Sequence, residues 1–256
     1  MRDNKKRKRN IAFETIEELS KLYGIAFCYC IVIGSKILSM FPLRGAAFCV
    51  RDFFVLMMSP LWYSLLFLIP ITITTISIIK HDFLPVCIIQ NDSWKSLLWK
   101  QQKKLVFQSI WYTISFFSIV FFLTKGMRLE NWNQMGSYFY QKTQRISEIT
   151  TLEFFIILFI LCLIRNYLIG DVILLSIWKK ATPIYGVILL CCIICFEIVI
   201  VKFPIFLRLF TVDYIMWIEK NMRIQMVIGF FIYIAIFSIC FQKMIKKKEW
   251  IRYERI

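Results

Sequence analysis

Six runs of apolar residues, separated by short polar or basic segments, make up most of this 256-residue chain. The hydrocarbon core of a bilayer is about 30 Å thick, and a helix of about 20 apolar residues crosses it. Inside a bilayer every backbone polar group needs an internal partner, which a helix provides. The pattern therefore predicts an all-α polytopic membrane protein with six transmembrane helices in one domain, residues 1–256. The predicted spans are residues 22–41, 53–79, 105–123, 152–178, 183–201 and 224–241.

Composition and charge agree with this class of protein. Hydrophobic residues make up 59% of the chain, more than the roughly 45–50% found in soluble domains. The net charge is +16, but the Lys and Arg side chains stand in blocks beside the apolar runs. Such blocks are typical of the positive-inside rule, and most of them fall on the side that holds the two termini. We therefore expect both termini in the cytoplasm and no nucleic-acid partner.

Residues 1–23 combine a basic start with an amphipathic helix. Six of the first ten residues are Lys or Arg, and no signal-peptide cleavage site follows the first apolar run. Between Ile11 and Tyr23, apolar side chains fall on one half of a helix. The charged residues of this stretch fall on the other half: Glu14, Glu17, Glu18 and Lys21. Such a helix is expected to lie on membrane lipid at the inner surface.

The segment 80–104 is the largest polar insertion in the apolar part of the chain, and we predict that it is a cytoplasmic loop. Asp92 or Ser93 can cap a helix there, and apolar residues then recur at helical spacing. The predicted apolar face contains Trp94, Leu97 and Leu98. A short helix of this kind can insert its apolar face into a groove of another protein. Alternatively, it is an interfacial connector whose tryptophans lie at headgroup level.

Four ionisable residues within the predicted spans are candidate functional residues: Lys36, Arg165, Asp171 and Glu197. An ionisable group inside a membrane is costly and is a functional candidate for that reason. Lys36 and Glu197 lie at similar depth, which predicts a pair between two helices. Arg165 and Asp171 lie on different faces of one helix, so we expect them to face a polar interior or a subunit interface. The alternative for all four is a purely structural role.

Little in the sequence indicates covalent chemistry. No two glycines have the spacing of a phosphate-binding loop, so any ATP used would bind to another chain. Cys191, Cys192 and Cys195 lie in an apolar span and are interpreted as small hydrophobic residues rather than metal ligands. His81 and Cys87 are the base and nucleophile of an alternative function, a membrane cysteine peptidase. Otherwise we expect no enzymatic activity, metal or cofactor in this chain.

The run from Pro60 to Phe122 resembles the second and third spans of bacterial type-2 ABC exporter permeases, most clearly over IIQNDSWKSLLWKQQKK. The similarity is to the small Gram-positive permeases encoded with peptide-antibiotic and self-immunity systems. These have a short apolar segment, a turn, and a tryptophan-rich basic segment that enters the third span. An N-terminal helix on the inner surface, six spans and an apolar external segment before the last span are also similar.

This resemblance implies a transport function in the bacterial cytoplasmic membrane. In that family a coupling helix docks on a separate ATP-binding subunit, which holds ATP and Mg²⁺, and two permeases complete the exporter. The expected cargo is a peptide or other amphipathic molecule, such as an antimicrobial peptide. A stand-alone membrane immunity or scaffold protein remains a further alternative. Carried over by position, the docking residues are Asp92, Ser93, Trp94, Lys95, Leu97 and Leu98.

Overall fold

The protein is mainly helical over the residues that the computed structural model describes, which are 2–40, 47–83, 93–199, 214 and 220–253. No strand occurs among them, which confirms the predicted all-α class. The helices are α1 Arg2–Met40, α2 Val50–Met57, α3 Pro60–Lys80, α4 Trp94–Leu123, α5 Tyr138–Thr143, α6 Thr151–Lys180, α7 Ile184–Val199 and α8 Lys220–Tyr253.

Within these ranges, five helical segments are long and apolar enough to cross a membrane: Ser20–Met40, Pro60–Lys80, Trp94–Leu123, Thr151–Lys180 and Ile224–Lys247. The chain is therefore a multi-pass membrane protein. The predicted fifth span corresponds to α7, a shorter apolar helix of 16 residues. The total of six spans and the side on which the termini lie stay predictions.

The centre of the bundle is formed by α3, α4 and α6, whose membrane-spanning windows are about half buried, whereas α1 and α8 lie at its edge. Aromatic rings fill the space between α2, α4 and α6. Phe54 of α2 contacts four rings at centroid distances of 5.0–5.6 Å, those of Phe116, Phe117, Phe121 and Phe155. This packing places the start of the second predicted span against the middle of the bundle.

The second predicted span, 53–79, carries Pro60 and Pro70, which predict a tilted and kinked helix. The structure has a complete break at the first of these prolines. The span consists of the end of α2 and nearly all of α3, with a break at Met58 and Ser59. Ser59 has φ −61° and ψ 150°, an extended conformation, and Pro60 is the first residue of α3. A proline disfavours the helical conformation of the residue before it, which explains why the helix stops here.

Two other helices are longer than predicted. The cytoplasmic helix expected after Asp92 and the third span, 105–123, form the single helix α4, which begins after the N-cap Ser93. No Gly or Pro occurs between Trp94 and Leu123 to interrupt it. Likewise, α1 runs without a break from Arg2 to Met40, so the stretch 1–23 is not a separate helix. The predicted outer turn at Pro42–Gly45 lies outside the described residues.

The hairpin of α6 and α7 depends on very close contact. Ala181 ends α6 in the left-handed conformation, and its N–H donates to the carbonyl of Ile177. Ser176 Oγ then donates to the Thr182 carbonyl (2.8 Å) and accepts from the Gly186 N–H (2.9 Å). A Cβ atom at Gly186 would lie 3.0–3.1 Å from Ser176 Cβ, Ile173 Cα and the Val172 carbonyl oxygen. Two of these are backbone atoms, which cannot turn aside as a flexible side chain can.

We expect Gly186→Ala to destabilise the protein by about 1–3 kcal/mol, the usual cost of overpacking, because the α6 backbone must move to admit the methyl group. Thermal unfolding in detergent measures this loss. Gly24→Ala is the matched control, since no atom lies within 4 Å of the added Cβ there. Equal unfolding temperatures for the two variants would contradict the close packing of α7 on α6.

Candidate functional site

The break in the second span is held by a buried arginine from another helix. Because Ser59 is extended, the carbonyl of Met58 does not take part in a continuing helix. Arg165 of α6 donates from Nη1 to this carbonyl at 2.5 Å, and its guanidinium lies 4.1 Å from the ring centroid of Tyr63. The Arg165 side chain is completely buried. A charged donor thus satisfies a carbonyl that has no helical partner inside the bundle.

A second irregularity in α3 is held by α1. Residues Ser64–Leu68 form a π-helical turn immediately before Pro70. Pro70 has no N–H, so the Leu66 carbonyl loses its donor in an α-helical register and the Leu65 carbonyl loses its donor in a π-helical one. Tyr29 Oη donates to the Leu65 carbonyl (2.8 Å), and Cys30 Sγ donates to that of Leu66 (3.2 Å).

Polar side chains continue along the seam between α3 and α4. The Gln108 amide donates to Thr74 Oγ1 (2.7 Å) and to the Ile71 carbonyl (3.1 Å), and its oxygen accepts from Thr75 Oγ1 (3.2 Å). Thr74 Oγ1 also lies 3.1 Å from Tyr112 Oη. All four side chains are buried. Their amide and hydroxyl groups fix the register of the two helices without adding charge.

The seam reaches α6 through Asn166. Tyr63 Oη donates to Asn166 Oδ1, and the Asn166 amide donates to Thr113 Oγ1 at 3.1 Å. Tyr63 therefore connects the two networks, because the same ring lies against the Arg165 guanidinium. The groups present suit helix positioning rather than covalent chemistry.

At the other end of the bundle, charged and amide side chains join three helices. Asp82, which follows α3, binds Lys100 (3.2 Å) and Lys104 (2.7 Å) of α4. Gln102 donates to Asp171 Oδ1 of α6 at 2.7 Å and accepts from Tyr167 Oη at 2.5 Å. Asp171 was predicted to face a polar interior or a subunit interface. In the structure its hydrogen-bond partner is the uncharged side-chain amide of Gln102 from α4.

The residues predicted to dock on a partner are only partly exposed. Ser93 caps α4, accepting from the Ser96 N–H at 3.1 Å, and Lys95 is exposed. Leu97, however, is completely buried, and the Trp94 ring packs against Trp178 at 5.9 Å. The apolar side of this turn thus faces the bundle, whereas we expected it to face the cytoplasm. Leu98 is partly buried against the same core, and Asp92 lies outside the described residues.

The predicted pair of Lys36 and Glu197 is not formed. Lys36 is exposed on α1, whereas Glu197 is buried on α7. Similar depth in two spans predicted the pair, but helix rotation decides which residues meet. Of the alternative peptidase pair, Cys87 and the side chain of His81 lie outside the described part of the chain.

Sequence reasoning missed a buried polar cluster beyond the opposite end of α3. Arg51 of α2 donates to Glu130 (2.9 Å) and Thr151 (2.6 Å) and lies 5.2 Å from the Trp132 ring centroid. The sequence places Arg51 and Asp52 in the external connection that leads into the second span, and the structure buries both side chains. The connection 124–150, which contains α5, folds over them.

Asp52 is the acceptor on which this cluster converges. One carboxylate oxygen accepts from Trp132 Nε1 and Tyr214 Oη, each at 2.9 Å, and the other accepts from the Cys49 N–H at 2.9 Å. Burial raises the pKa of the Asp52 carboxyl above its usual value, and these hydrogen bonds oppose that rise. Tyr214 belongs to the segment 202–220, which is rich in apolar residues but too charged to span, so that the sequence predicts it to lie at the outer interface or partly in the membrane.

Nothing in the described residues gathers three His, Cys, Asp or Glu side chains where they could hold a metal ion. Comparison of the chain with protein-family models, with curated proteins and with solved structures gives no match.

We expect Asp52→Asn to lower stability by about 1–3 kcal/mol, because the amide keeps the shape but replaces an acceptor by a donor that faces buried donors. Thermal unfolding in detergent measures this effect. Glu148→Gln, an exposed change in the same connection, is the control. An unchanged unfolding temperature for Asp52→Asn would mean that the carboxylate is not the acceptor that holds the cluster.

Proposed function

We propose that this chain is the membrane-spanning permease subunit of an ATP-binding cassette exporter. It would move a peptide or other amphipathic cargo, using ATP hydrolysed by a separate subunit, and a second permease would complete the pathway. In this proposal α7 belongs to the fifth of six spans, and both termini lie in the cytoplasm. The resemblance motivates the proposal, and the single observation that carries it is the continuous helix α4.

The length of α4 exceeds the thickness of a bilayer core. Its 30 residues extend about 45 Å at 1.5 Å per residue, compared with about 30 Å of hydrocarbon. About three turns can therefore project into the cytoplasm at the N-terminal end. Apart from Ser96, the exposed side chains of these turns are basic or aromatic: Lys95, Trp99, Lys100 and Lys103.

This end of α4 is firmly attached to α3. Asp82 binds Lys100 and Lys104 on successive turns of α4, and Lys104 Nζ also lies 3.4 Å from the Ile78 carbonyl. A force on the projecting turns would reach α3 through these contacts. Rocking of the second and third spans is the motion expected when ATPase subunits close, so a rigid α4 tied to α3 suits a coupling role.

The proposed docking face consists of side chains on this part of α4 that are exposed, because only these can contact a partner. Trp99 is 65% exposed, with the Lys103 ammonium 5.7 Å from its ring centroid, and Lys95 is exposed on the preceding turn. Exposed Trp side chains are frequent anchors at protein interfaces. Lys95 and Trp99 therefore replace Leu97 as the residues that would contact the ATPase.

We expect a tagged form of this chain, purified from its native cells, to carry a P-loop ATPase with it. The double variant Lys95→Glu/Trp99→Glu should reduce the amount of bound ATPase at least tenfold, because an anchor ring and a charge are lost from the contact. Quantitative pull-down followed by an ATPase assay measures this loss.

A matched double variant at the other end of the bundle controls for non-specific effects of charge. Lys125→Glu/Met135→Glu also replaces one exposed basic and one exposed apolar residue and should keep the ATPase bound. Both variants should unfold at the wild-type temperature. Recovery of the wild-type protein without any ATPase would reject the proposal in favour of a stand-alone membrane protein.

A further inference from the structure

The edge helix α8 has two different faces. One face turns towards the bundle and holds the buried side chains of Met226, Phe237 and Phe241. The Phe241 ring lies 6.2 Å from the ring of Trp178 at the end of α6. At about 100° per residue, the opposite face of α8 is a stripe about 100° wide. The exposed side chains of this stripe, in chain order, are Ile232, Ile236, Ile239, Lys243, Lys246 and Lys247.

The stripe changes from isoleucine to lysine where the helix leaves the hydrocarbon. The apolar segment Ile224–Lys247 has 24 residues and extends about 36 Å, compared with about 30 Å of hydrocarbon. Its last turn therefore lies at the level of the phospholipid headgroups, whereas the isoleucines lie at the level of the acyl chains. One face of one helix thus offers apolar contact to the chains of a lipid and ammonium groups to its phosphate.

The three lysines form no ion pair within the part of the chain that the structure describes. Lys243 stands three and four residues before Lys246 and Lys247, so the like charges repel each other across one turn. All three precede the end of α8 at Tyr253 by more than one turn, too far for the helix dipole to offset this repulsion. An anion from outside the chain would remove it.

The described acidic side chains at this end of the bundle are already bound elsewhere. Asp82 is buried and binds two lysines of α4, and Asp171 is buried and accepts from Gln102. At the other end of the bundle, by contrast, the exposed bases stand among exposed acids such as Glu148 and Glu153. The unneutralised positive charge of the α8 stripe therefore suits an anionic partner.

We propose that this stripe of α8 is a binding surface for anionic phospholipid. The headgroup phosphate lies among Lys243, Lys246 and Lys247, and an acyl chain runs along the three isoleucines. Clusters of lysine beside a membrane-spanning helix attract acidic lipids. The proposal is independent of the transport function and holds for either orientation of the chain in the membrane.

A second membrane helix suits the stripe less well. Helices that associate in membranes usually approach each other through Gly, Ala, Ser or Thr, whereas this stripe presents three isoleucines. Their branched side chains keep another backbone at a distance. A protein in the aqueous phase would reach the lysines but not the isoleucines. A phospholipid contacts both parts of the stripe.

Lipids with brominated chains report which headgroup is enriched beside the stripe. A fluorescent unnatural amino acid replaces Ile239, one turn before Lys243, in nanodiscs of phosphatidylcholine and phosphatidylglycerol. Only one of the two lipids carries bromine in each measurement. Phosphatidylglycerol should quench this fluorophore more strongly than phosphatidylcholine at the same mole fraction. The control fluorophore at the exposed Ile114, about 16 Å along α4 from Lys103, should be quenched equally by both lipids.

The triple variant Lys243→Gln/Lys246→Gln/Lys247→Gln removes the charge and leaves the isoleucines in place. It should reduce the local excess of phosphatidylglycerol about tenfold, because each lysine near the surface adds to the attraction for an anionic headgroup. The matched control Lys125→Gln/Arg128→Gln/Arg145→Gln removes three exposed positive charges from the opposite end of the bundle and should keep the excess.

Equal quenching by the two lipids at Ile239 of the otherwise unchanged protein would overturn the proposal, and this comparison does not depend on the folding of any charge variant. Loss of the excess on addition of inorganic phosphate would also overturn it, because the lysines would then bind a free anion. An unchanged excess in a triple variant that no longer retains a partner protein would assign the lysines to that protein instead.

Discussion

A carbonyl group inside a bilayer has no water to bond, so each one outside a regular helix needs a donor from elsewhere in the protein. This requirement explains the arrangement of the bundle. The carbonyls of Met58, Leu65 and Leu66 lie at the irregular points of the second span, and each accepts from a side chain of another helix: Arg165, Tyr29 and Cys30. The irregular second span is thus the element around which α1 and α6 are positioned.

The sequence predicted the helical class and most helical segments, because apolar runs and the demand for backbone hydrogen bonds act locally. Pro60 and Pro70 also marked the second span as kinked. The nature of each kink was not predictable, since it depends on a donor that arrives from a distant segment. The continuity of α4 was missed because a change from polar to apolar residues does not end a helix when no Gly or Pro interrupts it.

The residues of the candidate site were also predictable only in part. Arg165 and Asp171 were identified because charge inside an apolar run is conspicuous, but their partners are a backbone carbonyl and a neutral amide, which leave no signature in sequence. Arg51 and Asp52 looked like ordinary loop charges. Their burial depends on Trp132 and Tyr214, which are distant in sequence and cover them only in the folded protein.

The hydrogen bonds from α1 to the π-helical turn have a consequence for biogenesis. An α3 helix that entered lipid alone would leave the Leu65 or the Leu66 carbonyl without a donor in hydrocarbon, at a cost of several kcal/mol. Tyr29 and Cys30 precede them in synthesis. The first two spans are therefore best released from the translocon together, as a helical hairpin that satisfies these carbonyls before the remainder of the chain has left the ribosome.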